Sequence, residues 1–353
     1  MKSIYVTSIV EHSGKTATCL AIAKQFQSQM KKVGYMKPMC LNPWRMGKYY
    51  GDEDAAFVKE ALKLTEDPWT LSPIVVTSVF LTEYLSKENS QNLLEQSIAS
   101  YNSLSENKDV LIIEGSNTLR EGFTFGVNCL AFAQQLNCRI LVLTKYHDEI
   151  HLLDDILSAH AHLGDSLYGV IVNRVPQDAC EFVKKFATPY LERRNIPVFG
   201  AIPESPNLAA LTVGELVNAL KAQILTKNPN LDTRVETLTI GAMTVDAALS
   251  RFRKQVNKGV ITGGDRTDIQ LAALETSTAC LILTGNLHPN PLIIKQAEEY
   301  GVIILLVPEN TMETIELIER VFGKTRLAQP IKLQEFENLF QNHVDTQRLI
   351  GGI

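Results

Sequence analysis

The segment SIVEHSGKT, residues 8–16, constrains this chain more than any other. It follows the apolar run IYVT and opens the helical run TATCLAIAKQF. A strand, a polar loop and a helix with Gly-Lys-Thr at the turn form the context of a phosphate-binding loop. The N–H groups at a helix start point at the anion, and the helix dipole favours negative charge there. On this reading Ser13, Gly14, Lys15 and Thr16 are the binding residues. Gly14 lets the backbone approach closely, Lys15 supplies a point charge to the β/γ-phosphates, and the Thr16 hydroxyl sits on Mg2+. Two departures stand in the loop: Ile9 occupies the usual first glycine position, and Glu11 adds a carboxylate.

Apolar runs and helical patterns alternate along the rest of the chain. Strands are expected at 3–7, 33–36, 109–113, 139–144, 168–173 and 198–202. Most lack period-2 alternation, as parallel strands buried on both faces do. Helices are expected at 15–30, 53–64, 87–104, 126–136, 148–163, 177–192 and 212–224. The alternation predicts an α/β fold with a parallel sheet covered by helices. The polar stretch LTKNPNLDTR, 225–234, marks a linker. It separates a first domain, 1–224, from a smaller α/β domain, 235–330. Strands at 235–240, 259–262, 280–284 and 302–307 alternate there with helices at 245–256, 267–276, 291–300 and 311–322. A C-terminal helix and tail cover 331–353. DVLIIEG, 109–115, ends a strand in Glu114, where phosphate-loop proteins place a metal-side carboxylate.

The 353 residues carry a formal charge of −5 and 45% hydrophobic side chains, with no block of five like charges. Phosphate neutralisation needs a basic surface, so nucleic acid is not an expected partner. No apolar run reaches the roughly 18–20 residues that span a bilayer, and the N-terminus does not read as a signal peptide. A cytoplasmic protein is expected. The six cysteines include no CxxC and read as packed free thiols. Four histidines at 147, 151, 160 and 162 read as surface residues.

With these motifs together, residues 1–224 resemble dethiobiotin synthetase and the related cobyrinic acid amidases. VTSIVEHSGKT is similar to that family's phosphate loop, with Ser8 where the leading glycine stands. The resemblance implies further roles. GYMKP, 34–38, gives a substrate-contacting, catalytic Lys37. DEDA, 52–55, gives a metal-side Asp54, and IIEG gives the further metal-side Glu114. VIVNRV, 170–175, gives an adenine-reading Asn173. VFGAIPE, 198–204, closes over the base and includes Pro203. Residues 235–330 look like a DRTGG domain, carried by ITGGDRTDIQLAALE, 261–275. The order of the two resembles the N-terminal half of long-form phosphate acetyltransferases, without their catalytic domain. The cofactors implied are ATP and Mg2+, and the assembly implied is a homo-oligomer, a dimer or higher.

The family's acceptor-binding elements are replaced by Met39-Cys40-Leu41 and by a bulkier turn after Glu114. Bulky apolar groups leave a carboxylate or carbamate without partners. A regulatory nucleotide-binding protein with a protein partner is therefore favoured over an ATP-dependent ligase, with weak ATPase or ligase activity at most. In the second domain, Gly263, Gly264, Asp265 and Arg266 form a turn after a strand. Arg266 could pair with a bound anion or be held by Asp265 as a structural ion pair.

Overall fold

The computed structural model describes residues 2–46, 48–86, 92–322 and 330–353. The chain divides into two compact units, Met1–Glu204 with Arg326–Ile353, and Ser205–Thr325.

The first unit is built on a six-stranded parallel sheet. Its strands are β1 (Lys2–Ser8), β2 (Val33–Met36), β7 (Val110–Glu114), β8 (Arg139–Lys145), β9 (Leu167–Val175) and β10 (Val198–Pro203), in the order β10-β9-β8-β1-β7-β2. β7 and β8 each bury an unbroken apolar run, as helices on both faces require. Helix α1 (Lys15–Ser28) leaves the sheet directly after β1 and buries Ala17, Leu20, Ile22 and Phe26. Two short strand pairings of the first unit escape the sequence reading. β3 (Met39–Cys40) pairs with β6 (Ile74–Val75), and β4 (Pro43–Met46) forms a hairpin with β5 (Tyr49–Asp52). Helix α2 (Glu53–Leu62) follows that hairpin with Asp52 as its cap. The expected helix 87–104 is observed over Leu93–Ser105, and its residues 87–91 lie outside the described ones.

The expected separate C-terminal tail is corrected by the structure. Helix Pro330–His343 packs on α1 and β10, and Val344 bridges to Gly200. Lys24 of α1 pairs with Glu337. The Tyr168 hydroxyl bonds the Leu349 carbonyl at 2.5 Å. The segment buries Phe336, Phe340 and Leu349, and so it completes the first core.

The second unit holds a five-stranded sheet of β12 (Gln223–Ile224), β14 (Thr237–Ile240), β15 (Lys258–Gly263), β16 (Thr278–Thr284) and β17 (Ile303–Leu306), in the order β12-β17-β16-β15-β14. Only β12 in this sheet runs antiparallel to its neighbour. The expected boundary at 225–234 also falls in a different place. β11 (Leu211–Thr212) pairs with β13 (Arg234–Val235), and helix Val213–Leu220 buries Val213, Leu216 and Leu220 against Val235, Ile261 and Ile282. Residues 205–224 therefore belong to the second core. The polar stretch 225–234 is a loop within that unit, because turn-forming residues mark any surface crossing and not only a boundary.

Candidate functional site

In a parallel sheet the C-terminal strand ends face one side, where open α/β folds place ligands. Here the ends of β1, β7, β8 and β9 surround the loop between β1 and α1. Gly14 precedes α1 at φ 87°, in the left-handed region, and no side chain caps the helix. The N–H donors of the first turn thus have no side-chain acceptor of their own, which suits an anion. A Cβ on Gly14 would stand 2.6 Å from Asn173 Nδ2, so both conformation and space call for glycine. Ser13 Oγ donates to the Val10 carbonyl at 2.6 Å and tightens the loop.

Lys15 is 9% exposed. Its Nζ donates to Ser8 Oγ at 2.9 Å and to the Asn117 carbonyl at 2.6 Å. Ser8 Oγ donates to the same carbonyl, and Leu119 N donates to the Ser8 carbonyl. Glu121 accepts from Asn117 N at 2.6 Å. The segment after β7 therefore lies against the loop lysine. Burial pulls the Lys15 pKa down from its ordinary value, with Glu114 acting in the opposite direction.

Glu114 ends β7 beside Val6 of β1 and is 1% exposed. Its Oε1 accepts from the Thr16 hydroxyl at 2.7 Å and its Oε2 from the Tyr35 hydroxyl at 2.8 Å. Burial pushes its pKa up to about 7, while the Lys37 ammonium pulls the other way. Lys37 donates to Asp52 at 3.0 Å and to Asp54 at 2.6 Å. Burial opposes its charge, but Asp54, Asp52 and Glu114 together hold its pKa well above the usual lysine value. Asp52 also caps α2 through Ala55 N at 3.0 Å.

The structure thus brings Ser13, Gly14, Lys15, Thr16, Lys37, Asp54, Glu114 and Asn173 to one end of the sheet. Pro203 ends β10 opposite Val175 of β9, on the same side. Asn173 was expected to read adenine. Its Nδ2 donates to the Ser13 carbonyl at 2.9 Å, and its Oδ1 accepts from Arg174 N at 2.8 Å. Sequence reading missed Ser8, Tyr35, Asp52 and Asn117. Tyr35 and Asp52 do lie within or beside the GYMKP and DEDA motifs.

The donor set suits a hard cation. Thr16, Glu114 and Asp54 offer a hydroxyl and carboxylates, and Mg2+ is commonly held by one or two carboxylates together with substrate phosphates. No cluster of three or more His, Cys, Asp or Glu able to hold a metal occurs among the described residues. Thr16 and Glu114 would hold the ion only jointly with bound phosphates.

In the second unit, Arg266 pairs with Asp268 and not with Asp265. Its Nε lies 2.9 Å from Asp268 Oδ1 and one terminal nitrogen 3.0 Å from Oδ2, and that nitrogen also reaches the Met243 carbonyl. Asp268 stands two residues on, in the first turn of helix Thr267–Leu274, where the dipole favours a carboxylate. Gln270, fully buried, donates to the carbonyls of Gly263 and Gly264 at 2.9 and 3.0 Å. A Cβ on Gly264 would fall 1.6 Å from the Leu287 carbonyl oxygen, which fixes glycine there.

Residues 2–212 match the AAA domain family, and residues 215–321 match the DRTGG domain. The chain belongs to this AAA domain family, with a phosphate-loop fold followed by a DRTGG domain. More narrowly, it is related to the N-terminal half of phosphate acetyltransferases. It is 28% identical to the phosphate acetyltransferase of Synechocystis sp. over 99% of this chain and 51% of that protein. It is 25% identical to that of Nitratidesulfovibrio vulgaris over 98% and 51%. The chain spans about half the length of the curated relatives it matches. Among solved structures, the MinD cell division protein of Aquifex aeolicus aligns over 59% of this chain and 84% of its own, at 14% identity and a TM-score of 0.35. No described helix is long and apolar enough to cross a membrane.

Proposed function

We propose that the first unit binds ATP with Mg2+ and that the chain works as a regulatory nucleotide-binding protein, passing the bound state to a protein partner or to further copies of itself. One observation carries this reading. The uncapped start of α1, Gly14 in the left-handed region and the buried Lys15 ammonium stand together beside the Thr16–Glu114 pair. Lys15 would exchange its Ser8 and Asn117 partners for phosphate oxygens. Thr16 and Glu114 would face the cation. Asn173 holds the loop in shape, and Pro203 borders the base.

The ligase alternative needs an acceptor pocket beside Lys37. There, Met39 and Cys40 are buried in the pairing with Ile74–Val75, and Ser116 Oγ bonds the Met39 carbonyl at 3.1 Å. Lys37 itself is bonded to two carboxylates. These features support binding over acyl or carbamoyl phosphate chemistry. In the second unit, the Gly263–Arg266 turn is read as a lock on the strand-end loops, since Arg266 already has its carboxylate.

Titration calorimetry with ATP and Mg2+ tests the reading. Wild type binds, and Lys15→Ala loses at least tenfold in affinity, since a hydrogen bond to a charged group contributes about 1.5–3 kcal/mol. Equal affinities for wild type and mutant would refute the assignment.

A further inference from the structure

We propose that Tyr35 is a positioning residue of the phosphate-loop site, setting the face that Glu114 turns toward Thr16. The proposal rests on the nucleotide reading above and adds a residue that neither the loop motif nor the strand-end motif contains.

Tyr35 lies on β2, next to β7, in register with Ile112. It is 1% exposed, so its ring is fixed by the core. Its hydroxyl donates to Glu114 Oε2 at 2.8 Å, and Thr16 Oγ1 donates to Oε1 at 2.7 Å. A carboxylate has two oxygens and a free rotation about its last bond. With Oε2 held by a rigid phenol from one side, only Oε1 faces the first turn of α1. Glu114 then acts toward a Thr16-bound cation through one oxygen, in one orientation. Without the phenol, Oε2 would be a buried acceptor with a lost partner. It would regain one by rotating the carboxylate, which takes Oε1 away from Thr16.

The distinguishing measurement is the Mg2+ enhancement, the ratio of ATP affinity with Mg2+ to that in EDTA, read by titration calorimetry. Tyr35→Phe keeps the ring and its packing and removes only the donor. We expect the enhancement to fall at least fivefold. In a Glu114→Gln background the enhancement should already be small, and adding Tyr35→Phe should reduce it no further. A thermal melt of each variant reports folding separately. An enhancement equal to wild type in Tyr35→Phe, with or without a lower melting temperature, overturns the positioning role and leaves the nucleotide reading standing. An additional loss in the Glu114→Gln background shows that Tyr35 does not act through Glu114 and overturns it as well. Failure of wild type to bind ATP at all overturns the nucleotide reading and the Tyr35 role together.

Discussion

Asn173 is 6% exposed, and its amide joins the phosphate loop to β9. A side chain used in this way serves the loop before it serves the base. Asn173→Ala should therefore weaken ATP and GTP by similar factors, with a loss of about 1–3 kcal/mol for the buried Ser13 carbonyl left unpaired. Calorimetry with both nucleotides checks this, and a selective loss of ATP alone would favour the adenine-reading role. Lys258 poses a different problem. It is fully buried at the start of β15, with its ammonium on the Ser277 carbonyl at 2.8 Å and 5.5 Å from the Phe252 ring centre. Burial pulls its pKa down to about 8 from the ordinary 10.5. Between those values the unfolded chain holds a proton that the native one has lost, so the contribution of Lys258 to stability rises with pH across that window. The gain approaches roughly 3 kcal/mol, at 1.36 kcal/mol per pH unit. Lys258→Met should be more stable than wild type at pH 7 and lack this rise. Denaturant melts between pH 7 and 10.5 decide it.

At the level of elements, the parallel strands were the most legible features. A strand covered on both faces must be apolar throughout, so runs such as VLIIE announce themselves. Their ends differ from expectation by a residue or two, as at 139–144 against Arg139–Lys145. The two-residue strands β3 and β6 were not legible, because pairs so short carry no period. The links from Ser8 and Tyr35 to their partners were hidden for another reason. They join residues 109 and 79 positions apart, and no local pattern encodes such a distance. Helix Val213–Leu220 was expected, but its allegiance was not. Its apolar face is the same whichever sheet it covers. Leu216 is fully buried against the second sheet, so Leu216→Ala should cost about 2–5 kcal/mol of second-unit stability. A fragment spanning 205–325 should melt cooperatively and at higher temperature than one spanning 225–325, by circular dichroism.

For the whole molecule, the phosphate loop, the strand-end Glu114 beside it and the two-part organisation could be read from motifs in order. The route of the chain between the parts could not. The first unit is discontinuous: its sheet and α1 come from residues 2–204, and the helix that packs on α1 comes from Pro330–His343. Removing 330–353 should lower the melting temperature of the first unit and uncover apolar surface around α1, measurable as increased binding of a hydrophobic dye. The same arrangement bears on synthesis at the ribosome. Translation runs at roughly 5–20 residues per second, so about 15–60 s separate the emergence of α1 from that of its covering helix. The nascent chain holds its nucleotide loop early and its complete core late, and through that interval α1 depends on whatever else can shelter its uncovered flank.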